Sequence, residues 1–210
     1  MIVVHHLNNS RSQRVLWLLE ELQLKYDIKR YERDLKTMLA PDSLREIHPL
    51  GKSPVITDDA LTLAESGAII EYLVEHYGEG RLAPTLVTAE RLRYKYWLHY
   101  AEGSVMPLLV MKLVLDNFGL EDSGASREFI APQIKLHLNY MEDELCKNTW
   151  FVGQEFTAAD VQMSFPVEAA AAQVGLDASF PKLVGFLDRI HARPAYQRAL
   201  ERGGAYQLLS

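Results

Sequence analysis

Strand signals stop near residue 80 of this chain, and that break limits the folds open to it more than any other feature. Before it, short β-like runs alternate with helical ones: Ile2 to His5, a helix from about Ser12 to Leu24, Lys25 to Tyr31, a short helix after Pro41, Val55 to Thr57, Leu61 to Leu63, and a helix from Ser66 to Tyr77. Val15, Leu18, Leu19 and Leu22 recur at i, i+3, i+4 and i+7, as do Ile70, Leu73, Val74 and Tyr77, so each helix offers one apolar face to a sheet. Asp58-Asp59 between the last two strand runs is a turn signal and predicts an antiparallel hairpin. Gly78-Glu79-Gly80 and the segment around Pro84 read as a connector. The predicted organisation is an α/β domain over 1–80, a linker over 81–88 and an all-helical domain over 89–210.

The second half carries long helical patterns: Ala89 to Asn117, Ser126 to Leu145, Thr157 to Val174, Phe180 to His191, and a short one from Pro194 to Arg202. Thr157 and Asp160 stand at the cap and N3 positions of the third. Each side chain there bonds the other's backbone N–H, and Phe156 with Val161 occupy the places of a hydrophobic staple. Both Thr157 and Asp160 are therefore expected to be structural. Pro107, Pro132 and Pro166 fall inside or beside these patterns and predict kinks or split helices.

With 210 residues, 48% of them hydrophobic, the chain can bury a full core. A net charge of −6 argues against a general nucleic-acid binder, because phosphate contacts need a basic face. The first residues, Ile2-Val3-Val4, read as a strand rather than a signal peptide. The longest apolar run, Met106 to Leu115, is interrupted by Pro107 and Lys112, and is read as non-spanning. Cys146 is the single cysteine, which excludes an internal disulfide and a Cys-x-x-Cys redox pair. The cytoplasm is the expected compartment, with no membrane or nucleic-acid partner. In the His5-His6 pair one side chain should face into the fold and the other out, so a shared metal is not expected.

Chemistry-bearing residues gather at three places. Gly51-Lys52-Ser53-Pro54-Val55 leads into a strand, and a proline there removes one backbone donor and leaves main-chain groups of Ser53 available to a peptide-like ligand. Glu65-Ser66 opens a helix, where a hydroxyl and unsatisfied N–H groups suit a carboxylate. Asn9, Ser10 and Ser12 precede or begin the first helix and offer an amide and two hydroxyls near its positive end. Their bland reading is helix capping and loop shaping, Ser12 being an equally good cap. Lys52 reads equally as a solvated surface charge.

Taken together, Asn8-Asn9-Ser10-Arg11-Ser12-Gln13-Arg14, Gly51-Lys52-Ser53-Pro54-Val55, Glu65-Ser66 and Phe156-Thr157-Ala158-Ala159-Asp160 resemble the glutathione S-transferases, over essentially the whole chain. The likeness is nearest to bacterial and fungal, theta-like members of the serine type. The resemblance implies an N-terminal thioredoxin-like domain and a C-terminal helical domain. It further implies glutathione as co-substrate rather than a retained cofactor, a small hydrophobic electrophile as second substrate, and a homodimer. By the same resemblance Ser10, Ser12 or Asn9 donates a hydrogen bond to the thiolate, with Ser10 first. Lys52, Ser53, Pro54 (as a cis-proline), Glu65 and Ser66 bind glutathione. Arg14 supports the site or forms an ordinary salt bridge. The aromatic and methionine-rich run Tyr94, Tyr96, Trp97, Tyr100, Met106, Met111 reads mostly as core, and Tyr100, Glu102, Met106 and Met111 are its candidates for bordering a hydrophobic-substrate pocket. Reduction of peroxides or mixed disulfides on the same fold, and a non-catalytic binding or assembly module, are the two other readings.

Overall fold

The computed structural model describes residues 1–34, 37, 39–120 and 123–209. Strand β1 (Ile2–Leu7) pairs in parallel with β2 (Tyr26–Tyr31) and antiparallel with β3 (Val55–Asp58), and β3 pairs antiparallel with β4 (Leu61–Ala64). The sheet order is β2-β1-β3-β4. A parallel pair needs a crossover, and helix α1 (Ser12–Glu21) supplies it. The β3–β4 connection is the tight turn that the sequence predicted, with Asp59 at φ 49°. Helix α2 (Ser66–Tyr77) follows β4 and buries Ile69, Ile70, Leu73 and Val74. This is a thioredoxin-like arrangement.

Packing divides the described residues into two compact units, Met1–Ala83 with His191–Ser210, and Pro84–Ile190. The sequence reading ran the helical domain through residue 210, whereas helix α8 (Pro194–Gly203) packs on α1 of the first unit. Its partner is chosen by charge and aromatic contacts rather than by helical period. Arg193 makes a bidentate pair with Glu21 at 2.6 and 2.9 Å, and Arg198 and Arg202 share Glu20 at 2.8 and 3.1 Å. Trp17 meets Tyr196 edge-on at 5.1 Å. Gly203 permits the closest approach, since a Cβ there would stand 2.6 Å from Gln13 Oε1 and 3.0 Å from Leu16 Cδ1.

Alternation along β1 predicted one histidine inside and one outside. Both are buried, at 3% and 4% exposure. Side chains pack on both faces of the sheet, so His5 joins Tyr31 and Thr57 while His6 joins Ser12. At the far end of the sheet the buried Asp58 carboxylate accepts from Tyr72 at 3.0 Å and from Tyr77, and pairs with the Met1 ammonium at 3.2 Å. Burial alone would push its pKa up, but these donors outweigh burial and hold it below the ordinary carboxylate value. A depressed folded pKa contributes stability above the unfolded pKa that is lost as pH falls through the folded value. Asp58→Asn is therefore expected to flatten the acid limb of the stability–pH curve below about pH 4, measured by denaturant titration.

The second unit is built from α3 (Ala89–Tyr100), α4 (Met106–Asn117), α5 (Ala131–Lys147), α6 (Ala158–Val174) and most of α7 (Pro181–His191). Pro107 and Pro132 each sit in the first turn of a helix, directly after a π-turn at Ala101–Val105 and Ala125–Ile130. The expected splits thus appear as widened turns in continuous helical chain, which absorb the missing N–H. At Pro166 no split occurs, and α6 runs through it. Thirteen of its residues, Ala158 to Ala170, are buried, so packing outweighs the roughly 3 kcal/mol a helix-interior proline costs. The uninterrupted run Ala89–Asn117 is long and apolar enough to cross a membrane by length and composition alone. The sequence reading that Pro107 breaks it is corrected. Its first part, α3, buries Tyr94, Trp97 and Leu98 and packs on α6, with Trp97 stacked on Tyr140 at 5.6 Å, whereas α4 buries Met106 and Leu109 and leaves Val110, Met111, Leu113 and Val114 exposed.

Candidate active site

The loop between β1 and α1 brings three hydroxyls together. Ser10 Oγ lies 2.7 Å from Ser12 Oγ and 3.4 Å from Ser53 Oγ, and it accepts from the Ser12 backbone N–H at 3.2 Å. Ser10 and Ser12 are buried, at 5% and 0% exposure. The Ser53–Pro54 peptide is cis, as the resemblance implied. Ser12 is not the helix cap that the sequence allowed. Arg11 takes the cap position, and the Ser12 hydroxyl turns back to His6 Nδ1 at 2.8 Å and the Leu7 carbonyl at 3.3 Å.

The three hydroxyls differ in where their protons go. His6 is buried beside Arg30, and its pKa is pushed down to about 4, first by desolvation and then by that charge, so the ring is neutral at physiological pH. It donates to the Gly203 carbonyl, which leaves Nδ1 as an acceptor for the Ser12 proton. Ser53 spends its proton on the His5 carbonyl at 2.9 Å. Of the three hydroxyls only Ser10 retains a proton that neither a backbone carbonyl nor a histidine claims.

Asn9 stands at φ 51° and points elsewhere. Its Nδ2 donates to Gln207 Oε1 at 2.9 Å, and its Oδ1 accepts from the Gln207 backbone N–H at 2.7 Å. Ser66 is buried at the first position of α2, and Arg14, 1% exposed on α1, donates to its Oγ at 2.7 Å. That bond fixes a positive charge beside a helix N-terminus. Glu65 precedes it, exposed and at φ 70°, a left-handed conformation that non-glycine residues rarely take and that often marks a functional turn. Lys52 is exposed.

In the helical unit Tyr100 and Met106 are buried, Glu102 is half-buried and Met111 is exposed, all on one helical run. The Tyr100 hydroxyl is committed to His137 Nδ1 at 2.5 Å. Asp160 and Thr157 form the predicted capping box. Sequence reasoning missed His6, Gly203 and Gln207 as members of the first site. A polar residue in a strand weighed only as a metal ligand gives no sign of Ser12, and no local pattern ties residue 9 to residue 207.

The family description "Glutathione S-transferase, N-terminal domain" matches residues 1–75, and "Glutathione S-transferase, C-terminal domain" matches residues 109–194. The chain belongs to the glutathione S-transferase family. Among its relatives, glutathione S-transferase 3 of Schizosaccharomyces pombe is 36% identical, the match covering 96% of this chain and 88% of the relative. Glutathione S-transferase 1 of Saccharomyces cerevisiae is 30% identical over 98% of this chain and 96% of its own. A crystal structure of a glutathione S-transferase from Actinobacillus pleuropneumoniae is 36% identical with a TM-score of 0.90, covering 100% of this chain and 96% of that one. The protein is a glutathione transferase with a thioredoxin-like domain followed by a helical one, and glutathione is the substrate of its family.

Proposed function

We propose that this transferase holds glutathione along residues 1–80 and directs its thiolate at small, mostly apolar electrophiles. The observation that carries the reading is the Ser10 hydroxyl, whose neighbours Ser12 and Ser53 have spent their own protons on His6 and the His5 carbonyl. A free cysteine-type thiol has a pKa near 8.5, so only a few per cent is nucleophilic at neutral pH. A hydrogen bond from Ser10, with the positive end of α1 behind it, lowers that value. The backbone of Ser53, beside the cis Pro54, pairs with the cysteinyl unit as an added strand would. Ser66, backed by Arg14, takes the γ-glutamyl carboxylate. Glu65 takes the adjacent ammonium, and Lys52 a carboxylate as a point charge.

Tyr100, Glu102, Met106 and Met111 border the pocket for the electrophile, and binding both reactants on one protein makes their reaction effectively intramolecular. We take the active form to be a homodimer and the compartment to be the cytoplasm, in keeping with a chain whose lone cysteine, Cys146, is an exposed free thiol. Calorimetry at millimolar glutathione tests the binding half, where saturable uptake is expected and its absence from folded protein would end this reading. Assay against an aryl halide and an organic peroxide tests the chemical half. Turnover of the aryl halide supports conjugation, and turnover of the peroxide alone would make the enzyme a reductase.

A further inference from the structure

The loop that presents Ser10 is gripped from behind by the last residues of the chain, all within the first compact unit. Gln207 holds Asn9 at both ends of its side-chain amide, at 2.9 Å through its own Oε1 and at 2.7 Å through its backbone N–H. Amide oxygen and amide nitrogen are matched to a donor and an acceptor, so the pair sets the orientation of Asn9 as well as its position. Asn9 is the residue whose left-handed backbone, φ 51°, turns the chain toward Ser10. Arg33 adds a third contact, donating to the Asn9 carbonyl at 3.3 Å. A second attachment runs deeper: the Gly203 carbonyl holds His6, His6 takes the Ser12 proton, and Ser12 lies 2.7 Å from Ser10. The base beneath both attachments is α8, which packs on α1 and pairs with it through Arg193 on Glu21 and through Arg198 and Arg202 on Glu20.

We propose that Gln207 is a positioning residue of the transferase, through which the C-terminal segment sets the aim of the Ser10 hydroxyl. The inference rests on Ser10 as the thiol's donor. The clamp lies at the surface, where two hydrogen bonds add little to global stability, so its loss changes geometry far more than folding. Displacing a reacting group by about 1 Å costs up to about a hundredfold in rate.

The test compares full-length wild type with Gln207→Pro, which removes the side-chain acceptor and the backbone donor together. Gln207→Glu, which keeps both, serves as the rescuing control. Expected for Gln207→Pro are a fall in kcat/KM of about tenfold, a thiol pKa in the glutathione complex raised by about one unit, a glutathione Kd within about threefold, and faster hydrogen exchange at residues 8–11. Gln207→Glu should restore wild-type values of all four. A wild-type thiol pKa in Gln207→Pro, or equal loss in Gln207→Glu, overturns the proposal. If the proline variant does not accumulate as folded protein, Gln207→Ala is read by the same pKa and exchange measurements and decides in its place. Ser10→Ala separates the two levels of inference. A moved thiol pKa there with none in Gln207→Pro rejects the clamp and keeps the donor, while the reverse keeps the clamp and transfers the donor's role to another residue of the loop.

Discussion

Ser10→Ala is expected to raise the apparent pKa of enzyme-bound glutathione by about one to two units and to lower kcat/KM at neutral pH by about ten- to a hundredfold. A hydrogen bond to a charged acceptor contributes about 1.5–3 kcal/mol, and each pKa unit corresponds to about 1.4 kcal/mol. That energy is present only when the sulfur is ionised, so it enters the rate and the titration rather than the affinity for the neutral thiol. Glutathione Kd should stay within about threefold, since the proposed glutathione contacts at Ser53, Ser66 and Lys52 are untouched. The readout is thiolate absorbance of the binary complex across pH 5 to 10. An unchanged pKa would move the donor to Ser12 or Asn9, against the proton count at His6 and the engagement of Asn9 by Gln207. Alanine also leaves the Ser12 N–H without its Oγ acceptor at 3.2 Å, and the accompanying stability loss should be near 1 kcal/mol, well short of unfolding.

The pieces of this fold that were legible in the sequence are those fixed within a few residues of themselves. The apolar stripe of α2, the Asp59 turn, and the reciprocal bonds of Thr157 and Asp160 each depend on neighbours no more than a turn or two away. What stayed hidden is fixed by partners distant in sequence. Helix α8 carries a strong amphipathic pattern, but pattern alone does not say that Glu20 and Glu21 lie beneath Arg193, Arg198 and Arg202. His5 and His6 follow the alternation of a strand, yet both are buried because elements from elsewhere cover each face. The same holds at the site. Ser10, Ser53, Glu65 and Ser66 stood out by their motifs, whereas the reason that Ser12 rather than Ser10 gives its proton to a histidine lies in His6 and Gly203, two positions whose types suggest nothing of the kind. Pro166 is the inverse case, a strong local signal overridden by burial of the thirteen residues, Ala158 to Ala170, that surround it.

Asp160→Ala should be the most destabilising single change in the helical unit outside its apolar core, at about 3–5 kcal/mol. The carboxylate accepts from the Phe151 N–H at 2.9 Å, the Thr157 N–H at 2.8 Å and the Thr157 hydroxyl at 3.1 Å, so it ties the turn before α6 to the start of that helix. It is 0% exposed, and no water reaches the two N–H groups that alanine would strand. Asp160→Asn keeps an acceptor oxygen for one of them and should cost distinctly less. The carboxyl also leaves a signature in pH. Burial, the largest influence, raises its pKa to about 6 against the opposing pull of the Phe151 and Thr157 donors. A folded pKa above the unfolded one means that the folded state holds the proton more tightly, so this group's contribution to stability declines as pH rises from about 4 through about 6. Denaturant midpoints across that range should show the decline in wild type and lose it in Asp160→Asn. The two variants together then separate the roles: a hydrogen-bond hub predicts the order wild type, asparagine, alanine at pH 5, while equal stability of alanine and wild type would mean that the turn at Phe151 holds α6 without it. Because Asp160 lies far along the chain from the Ser10 loop and its hydrogen bonds go to Phe151 and Thr157, residual folded Asp160→Ala enzyme should keep the wild-type thiol pKa.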